Sequence, residues 1–314
     1  MNIILLGAAG FIGTNLTIAL AKESENHITV VDYSIDYFSV LKQMNLDNVE
    51  IHECAFDADT DYAKLLEGQD IVYHLVSTTK PSTSNLQIPE EIENNVAMTA
   101  RMMEGCRESN VGRVVFLSSG GTVYGSTAEC PMNEETPLYP INSYGLQKVL
   151  IEKLLYLYGK QTGIDCRIIR LANPYGPYQR PDGSLGAVTT FTYKALKGEE
   201  ITVFGDGSVV RDFIYIDDAI RAIINIANGG DKYHVYNVGS GYGTSLRTVL
   251  DTISETLGIE LKILHLPERN VDVPVNYLDI SRYEKEYGRL NPISLKEGIQ
   301  KTAAFMRRHY LDGE

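Results

Sequence analysis

Apolar and polar positions alternate between two rhythms along the first half of the chain. Asn2–Leu6 is apolar almost throughout, as a strand covered on both faces requires. Glycines follow, and then a helical stretch runs from about Phe11 to Lys22. Ile28–Val31, Glu50–Cys54 and Ile71–Leu75 read as further strands, with a helix across Tyr62–Leu66. Pro89–Asn110 has helical periodicity that places Ala97, Ala100, Met103 and Cys106 on one face. Arg113–Leu117 is a strand, Ser143–Thr162 a helix ending near Gly163, and Cys166–Leu171 a strand again. Strands alternating with helices in this way predict an α/β protein with a doubly wound parallel sheet.

After about Asn173 the rhythm loosens. Proline and glycine cluster across Pro174–Gly186. Ala187–Leu196 is helical, Ile201–Phe204 a short strand, and Asp217–Asn228, Ser245–Leu257 and Leu295–Arg307 are helical again. The expected division is a dinucleotide-binding domain over residues 1–173, joined by contributions from about 209–240, and a mainly substrate-binding region over 174–314. No linker separates them, so the smaller C-terminal region is expected to interleave with the sheet.

Composition narrows the function classes. The 314 residues are 44% hydrophobic and 22% charged, ordinary for a globular protein, with a net charge of −13. That balance excludes a nucleic-acid footprint and a polybasic membrane contact as partners. An anionic small substrate stays possible, because local arginines and helix N-termini bind phosphate. Cys54, Cys106, Cys130 and Cys166 are scattered and form no C-x-x-C pair, which predicts reduced thiols and no zinc or other metal site. The N-terminus enters a strand with no basic segment before it, and no apolar run approaches the ~20 residues of a membrane helix; the expected location is cytoplasmic.

Gly7-Ala8-Ala9-Gly10-Phe11-Ile12-Gly13 sits between a strand and a helix. Three glycines alone would also suit a structural turn. In this context Gly7 permits the tight turn, Gly10 the approach of a pyrophosphate and Gly13 close helix–strand packing. The phosphates would meet the unpaired N–H groups of the helix start, including those of Phe11 and Ile12. Asp32 closes the second strand about 20 residues farther on, where a carboxylate accepts hydrogen bonds from a ribose and repels a 2′-phosphate. The cofactor is therefore expected to be NAD in a Rossmann-like fold.

Tyr144 and Lys148 stand four apart in Ser143-Tyr144-Gly145-Leu146-Gln147-Lys148, on one face of the long helix. A phenol with its ordinary pKa of about 10 is a poor base at neutral pH. A neighbouring ammonium and a cationic nicotinamide favour the phenolate, making Tyr144 a candidate base for a sugar hydroxyl, with Lys148 tuning it and holding the nicotinamide ribose, so that both also count as cofactor-binding candidates.

With these motifs in order, the sequence resembles the extended short-chain dehydrogenase/reductases, in the nucleotide-sugar epimerase/dehydratase branch. The resemblance covers nearly the whole chain. It is carried by the glycine motif, Asp32, Ser118-Ser119 with Val123-Tyr124-Gly125, Tyr144 with Lys148, and Asn173-Pro174-Tyr175-Gly176-Pro177. Gly205-Asp206-Gly207, Arg211-Asp212-Phe213 and Arg269-x-x-Asp272-x-Pro274 complete it. It implies that Asn173 touches the substrate, Phe204 lines the uracil pocket, Arg211 and Arg269 hold the diphosphate, and Asp272 holds the nucleotide ribose. It also implies that Asn95, Ser118 and the Leu75–Ser77 backbone approach the cofactor. Asp57 would meet the adenine amine, on a segment, Cys54-Ala55-Phe56-Asp57, that departs from the family's G-D-x-x-D. Relatives usually dimerise through two helices, here Pro89–Asn110 and Ser143–Thr162, and the spread of Leu150, Ile151, Leu154, Leu155 and Leu157 fits a homodimer.

One departure bears on chemistry. The family usually carries Ser or Thr at the position of Gly120, to hydrogen-bond the hydroxyl being oxidised; Thr122 or Ser119 is the expected substitute. The dehydratases carry Asp-Glu where this chain has Gly121-Thr122, and the decarboxylases carry Glu at Thr122, so both chemistries are disfavoured. Asn276 falls at the position that gates the N-acetyl pocket, and a side chain smaller than tyrosine there would admit a 2-acetamido sugar, unless the loop Pro181–Gly186 closes the space. The expectation is an NAD-dependent 4-epimerase of a UDP-hexose or UDP-N-acetylhexosamine. The alternatives are an NAD(P)H-dependent 4-keto reductase and a non-catalytic NAD-binding regulator.

Overall fold

The computed structural model describes residues 1–81, 84–126, 129–181, 186–230, 232–268 and 273–311. Its strands are β1 (Asn2–Leu6), β2 (His27–Asp32), β3 (Val49–Glu53), β4 (Ile71–His74), β5 (Arg113–Ser119), β6 (Asp165–Leu171), β7 (Asn173–Tyr175), β8 (Ile201–Phe204), β9 (Val210–Arg211), β10 (Phe213–Tyr215), β11 (Val235–Val238), β12 (Thr244–Ser245), β13 (Ile263–Leu266) and β14 (Val275–Asn276). The helices are α1 (Phe11–Leu20), α2 (Ser39–Met44), α3 (Tyr62–Leu65), α4 (Ile88–Ile92), α5 (Met98–Glu108), α6 (Ser143–Thr162), α7 (Ala187–Lys197), α8 (Ile216–Asn228), α9 (Leu246–Leu257), α10 (Ser281–Tyr287) and α11 (Leu295–Met306).

Seven strands form one parallel sheet in the order β11-β6-β5-β4-β1-β2-β3. The central strands are apolar along their length because both faces are covered: Ile3, Ile4, Leu5 and Leu6 are all buried, as are Val114, Val115 and Phe116. The winding direction reverses between β1 and β4, and a crevice opens beyond the carboxyl ends of strands at such a point. The glycine turn follows β1 and the Leu75–Ser77 segment follows β4, so both line that crevice. The seventh strand, β11, lies at the sheet edge beside β6, although it follows several elements of the C-terminal half.

The C-terminal half also makes small sheets of its own. Strand β9 sits between β12 and β14, β7 pairs with β10, and β8 pairs with β13. Helix α11 packs on α7 and α9, and α8 packs on α1.

The helical pattern over Pro89–Asn110 is interrupted. Helix α4 ends at Ile92, a π-helical turn spans Glu93–Ala97, and α5 begins at Met98. A π turn adds a residue to the ladder and re-phases the face. The buried side is consequently Asn95, Met98, Thr99, Met102, Met103 and Cys106, while Ala97 is exposed. The single face expected through Ala97, Ala100, Met103 and Cys106 is corrected accordingly. By contrast, α6 runs over Ser143–Thr162 and stops at Gly163, which adopts a left-handed cap with φ of 78°. Among the described residues no helix is long and apolar enough to cross a membrane.

Candidate active site

The dinucleotide cradle is built by the first strand–turn–helix. Gly7 has φ of +83°, and a Cβ on it would lie 2.9 Å from the backbone nitrogen of Val76. A Cβ on Gly13 would sit 2.5 Å from the Ala8 carbonyl oxygen, so only glycine lets α1 approach β1 this closely. Gly10 is different: nothing stands nearer to its imagined Cβ than the Gly7 oxygen at 3.6 Å. Its backbone faces open space at the start of α1. The first hydrogen bond of α1 runs from Thr14 N–H to Gly10 O at 2.9 Å, which leaves the Phe11, Ile12 and Gly13 amides ahead of it. No acidic residue occupies that first turn. The bare backbone and positive helix end fit a pyrophosphate.

Asp32 stands at the rim of the same turn. Its carboxylate accepts from Ala9 N–H at 2.9 Å and from Tyr33 N–H at 2.8 Å, which fixes it beside the glycine loop where a ribose would lie. Beyond β4, Asn95 is buried and clasps Thr78: its Oδ1 accepts from Thr78 N–H at 2.9 Å and its Nδ2 donates to Thr78 Oγ1 at 2.8 Å. Leu75 is pinned by its N–H to Leu6 O at 2.9 Å, and Ser77 donates to Thr79 O at 3.0 Å. Asp57 is exposed, and its carboxylate closes its own turn on Asp59 N–H and the Thr60 hydroxyl. Phe56, half-buried, reaches inward instead, lining a small cavity with Leu6, Val76 and Asn95.

The candidate catalytic side comes from β5 and α6. Lys148 is 5% exposed, donates to Leu117 O at 2.9 Å, and lies 5.6 Å from the Tyr144 ring centre. Burial pulls its pKa down to about 8, with the Glu152 carboxylate opposing that fall. Burial pushes the Tyr144 phenol up to about 12, and a hydrogen bond with Ser119 works the other way. Burial thus favours the neutral phenol, against which the expected phenolate calls on the ammonium and the cationic nicotinamide together. Ser119 is the hydroxyl that meets Tyr144. Thr122 is not: its Oγ1 is enclosed with no hydrogen-bond partner among the described residues.

Ser118 alternates to the other face of β5. Its hydroxyl donates to Glu152 at 2.5 Å. Glu152 in turn pairs with Arg170 at 2.7 Å, and Arg170 donates to Tyr124. Tyr124 donates to Asn237 at 2.6 Å, whose amide holds Met132 O at 2.8 Å. This buried chain of charge-assisted bonds braces the strand under Lys148. The sequence reading missed it because its members are scattered over more than a hundred residues.

Gly120 has a structural reason to be glycine. A Cβ there would lie 2.6 Å from Leu278 Cδ1 and 3.1 Å from Arg170 O. Leu278 is fully buried, and its N–H donates to the buried Asp212 carboxylate at 3.3 Å, which also receives Ser240. Next door, Gly121 faces Asn173 Oδ1 at 3.9 Å and Ser119 Oγ at 4.0 Å from its imagined Cβ. Asn276 is 2% exposed and donates to Gly121 O at 3.4 Å, so the residue expected to gate the sugar pocket is itself docked on the Gly120–Thr122 turn. Asn173 donates to Asp212 O at 2.9 Å. Arg211 is in register with Asn276, and its Nη1 holds Val210 O and Val273 O, at 2.9 and 2.6 Å. Phe204 ends β8, half-buried. Arg269 and Asp272 lie outside the described residues. Ser119, Tyr144, Gly121, Asn173, Asn276 and Arg211 are thus linked neighbour to neighbour.

Comparison with known proteins agrees with this geometry. The family model described as the NAD dependent epimerase/dehydratase family matches residues 3–239. A UDP-glucose 4-epimerase of Mycolicibacterium smegmatis is 33% identical over 313 residues, covering 98% of this chain and 99% of that protein. The structure of a UDP-glucose 4-epimerase from Thermotoga maritima, with UDP-glucose, superposes with a TM-score of 0.90 at 29% identity, over 98% of this chain and 99% of the other. A UDP-glucuronic acid 4-epimerase from Bacillus cereus, in complex with UDP-glucuronic acid and NAD, superposes at 0.89 with 27% identity, over 99% and 100%. Fold, glycine cradle and family model agree, and the chain belongs to the NAD-dependent epimerase/dehydratase family.

Proposed function

We propose that this protein is an NAD-dependent nucleotide-sugar 4-epimerase, inverting C4 of a UDP-hexose or UDP-N-acetylhexosamine through a transient 4-keto sugar. The observation that carries the reading is the joining of Ser119 and Tyr144 to a carboxylate-free turn, Gly120–Thr122, that faces Asn173. Dehydration and decarboxylation call for an acid on that turn; removing and returning one hydrogen at C4 does not. NAD, when bound in the cradle of Gly7, Gly10, Gly13 and Asp32, supplies the hydride acceptor and a cationic ring that favours the phenolate.

The residues divide the remaining tasks. Tyr144 accepts the O4 proton and later returns it. Ser119 donates to the phenolate oxygen and stabilises its charge. Lys148, anchored on Leu117 O, adds positive charge behind the ring. Arg211, with Arg269 and Asp272, would hold the diphosphate and nucleotide, so that the 4-keto sugar turns about a fixed anchor. The bare Gly121 leaves room for that turn. Holding both reactants at near-attack distance removes much of the entropic barrier.

A second reading, a 4-keto reductase consuming NAD(P)H, is favoured by Gly120, which leaves the hydroxyl under oxidation one hydrogen bond short. The test uses protein purified without added cofactor, incubated with UDP-glucose, UDP-galactose and their N-acetyl analogues. Redox-neutral interconversion with NAD released on denaturation supports the epimerase. Stoichiometric loss of NADH absorbance with a 4-keto sugar nucleotide, and no interconversion, supports the reductase. We also propose a homodimer through α4–α5 and α6, on which Leu146, Leu150 and Leu157 form an exposed apolar stripe. A monomer in light scattering at micromolar concentration contradicts it.

A further inference from the structure

One buried carboxylate stands against the catalytic helix without belonging to the cofactor or substrate surface. Glu91, on α4, is 7% exposed. Its Oε2 accepts a hydrogen bond from Ser143 Oγ and another from Gln147 Nε2 at 3.0 Å. Ser143 and Gln147 lie one turn apart on α6 and bond each other at 2.9 Å. Each directly precedes a member of the catalytic pair: Ser143 precedes Tyr144, and Gln147 precedes Lys148. Neighbouring rows on a helix turn as one body, so a grip on the first row sets the rotation of the second.

The same cluster reaches the cofactor side. Thr79 donates to Gln147 Oε1 at 3.1 Å, tying that amide to the segment after β4. Asn95, one turn beyond Glu91, donates to Glu91 O at 2.8 Å while clasping Thr78. The backbone N–H of Ser143 donates to Asn85 Oδ1 at 2.7 Å. Ser143, Gln147 and Thr79 are 3%, 2% and 9% exposed, so the side chains that surround the Glu91 carboxylate are buried with it. A buried carboxylate is costly unless it is fully hydrogen-bonded, and here its Oε2 is met by two side-chain donors from a single helix.

We propose that Glu91 is a positioning residue: it fixes the rotation of the first turn of α6, and so the placement of the Tyr144 phenol and Lys148 ammonium against the 77–79 strip. The proposal rests on Tyr144 being the base. Displacement of about 1 Å at a reacting group costs up to ~100-fold in rate.

The test compares the full-length wild type with Glu91→Ala, Glu91→Gln and Ser143→Ala, using UDP-galactose, retained NAD and amide hydrogen exchange. Glu91→Ala is expected to lower kcat by about 10- to 100-fold with KM within about twofold and NAD retained. Glu91→Gln, whose amide oxygen still accepts from Ser143 and Gln147, is expected to recover most of that loss. Ser143→Ala, losing one of the two donors, falls between. In Glu91→Ala the amides of 143–148 and 77–79 exchange faster, whether or not the sugar is turned over. Unchanged exchange and kcat in Glu91→Ala overturn the proposal, as does a Glu91→Gln protein as impaired as Glu91→Ala. If Glu91→Ala does not fold, a Ser143→Ala protein with wild-type kcat and exchange overturns it. A wild type that turns over no UDP-sugar while the exchange difference persists counts against the epimerase reading and not against this one.

Discussion

The two sides of the site are held by different means. The proposed cofactor and catalytic side hangs on long elements: β1 and α1 set the glycine cradle, and the 20 residues of α6 carry Tyr144 and Lys148. The sugar side hangs on strands of two residues, β9 and β14, which bring Arg211 and Asn276 into register across a separation of more than sixty residues. Long elements carry their geometry locally, through hydrogen-bond ladders and a packed apolar face. The short strands owe theirs to tertiary anchors: Leu278 filling the space above Gly120, Asn276 on Gly121 O, and Asp212 holding Leu278 and Ser240. The first side is therefore expected to be chemically essential and mechanically robust, the second adjustable.

The sharpest break of that contrast is at Tyr144. Tyr144→Phe removes the proposed proton acceptor and leaves α6 intact, so kcat is expected to fall by about 10²–10⁴-fold with an unchanged thermal midpoint. Equal turnover by the variant contradicts the role given to the phenol.

A smaller effect separates Ser119 from the vacant position at Gly120. Ser119→Ala removes the proposed donor to the phenolate and is expected to cost up to about 100-fold in kcat. Gly120→Ser, which restores the family's usual residue, should not raise activity. Its Cβ meets Leu278, and overpacking of that kind costs about 1–3 kcal/mol of stability. Measured kcat and denaturation midpoints for the two variants decide the point; a faster Gly120→Ser enzyme contradicts it.

The smallest effect is in pH dependence. Burial holds Lys148 at about 8, below its ordinary 10.5. As pH rises past about 8 the ammonium loses its charge, and kcat is expected to fall. Glu152→Gln removes the carboxylate that favours the ammonium and should move this limb to lower pH. Stability has the opposite sign: between about 8 and 10.5 the unfolded chain keeps a proton that folded Lys148 has lost, so this group's contribution to stability rises with pH. Lys148→Met should remove that rise, by at most about 1.4 kcal/mol per pH unit. Denaturation of both proteins at pH 8 and 10 checks the sign.

Much of this contrast was legible in the sequence, and the reason is period. Strand–glycine–helix spacing marks the cradle, and a 3.6-residue pattern marks α6 from Ser143 to Gly163. The pattern misleads over Pro89–Asn110, where a π turn re-phases the face that carries Glu91 and Asn95. It is silent at β9 and β14, whose residues become strands only when they meet. Composition also hid the reason for Gly120: the glycine reads as a missing hydroxyl until Leu278 is seen in its place. For the Glu91 grip, the available signal was the second row on α6, where Ser143 and Gln147 repeat the four-residue spacing of Tyr144 and Lys148; for the Ser118–Glu152–Arg170 brace it was Glu152, four residues past Lys148.

The central claim is that the hydrogen taken from C4 is the one returned to it. Incubating the purified protein with UDP-galactose deuterated at C4, in ordinary water, and locating the label in the UDP-glucose formed tests this directly. The account predicts deuterium retained at C4 in the inverted sugar. Product that has lost the label to solvent, or carries it at another carbon, contradicts it.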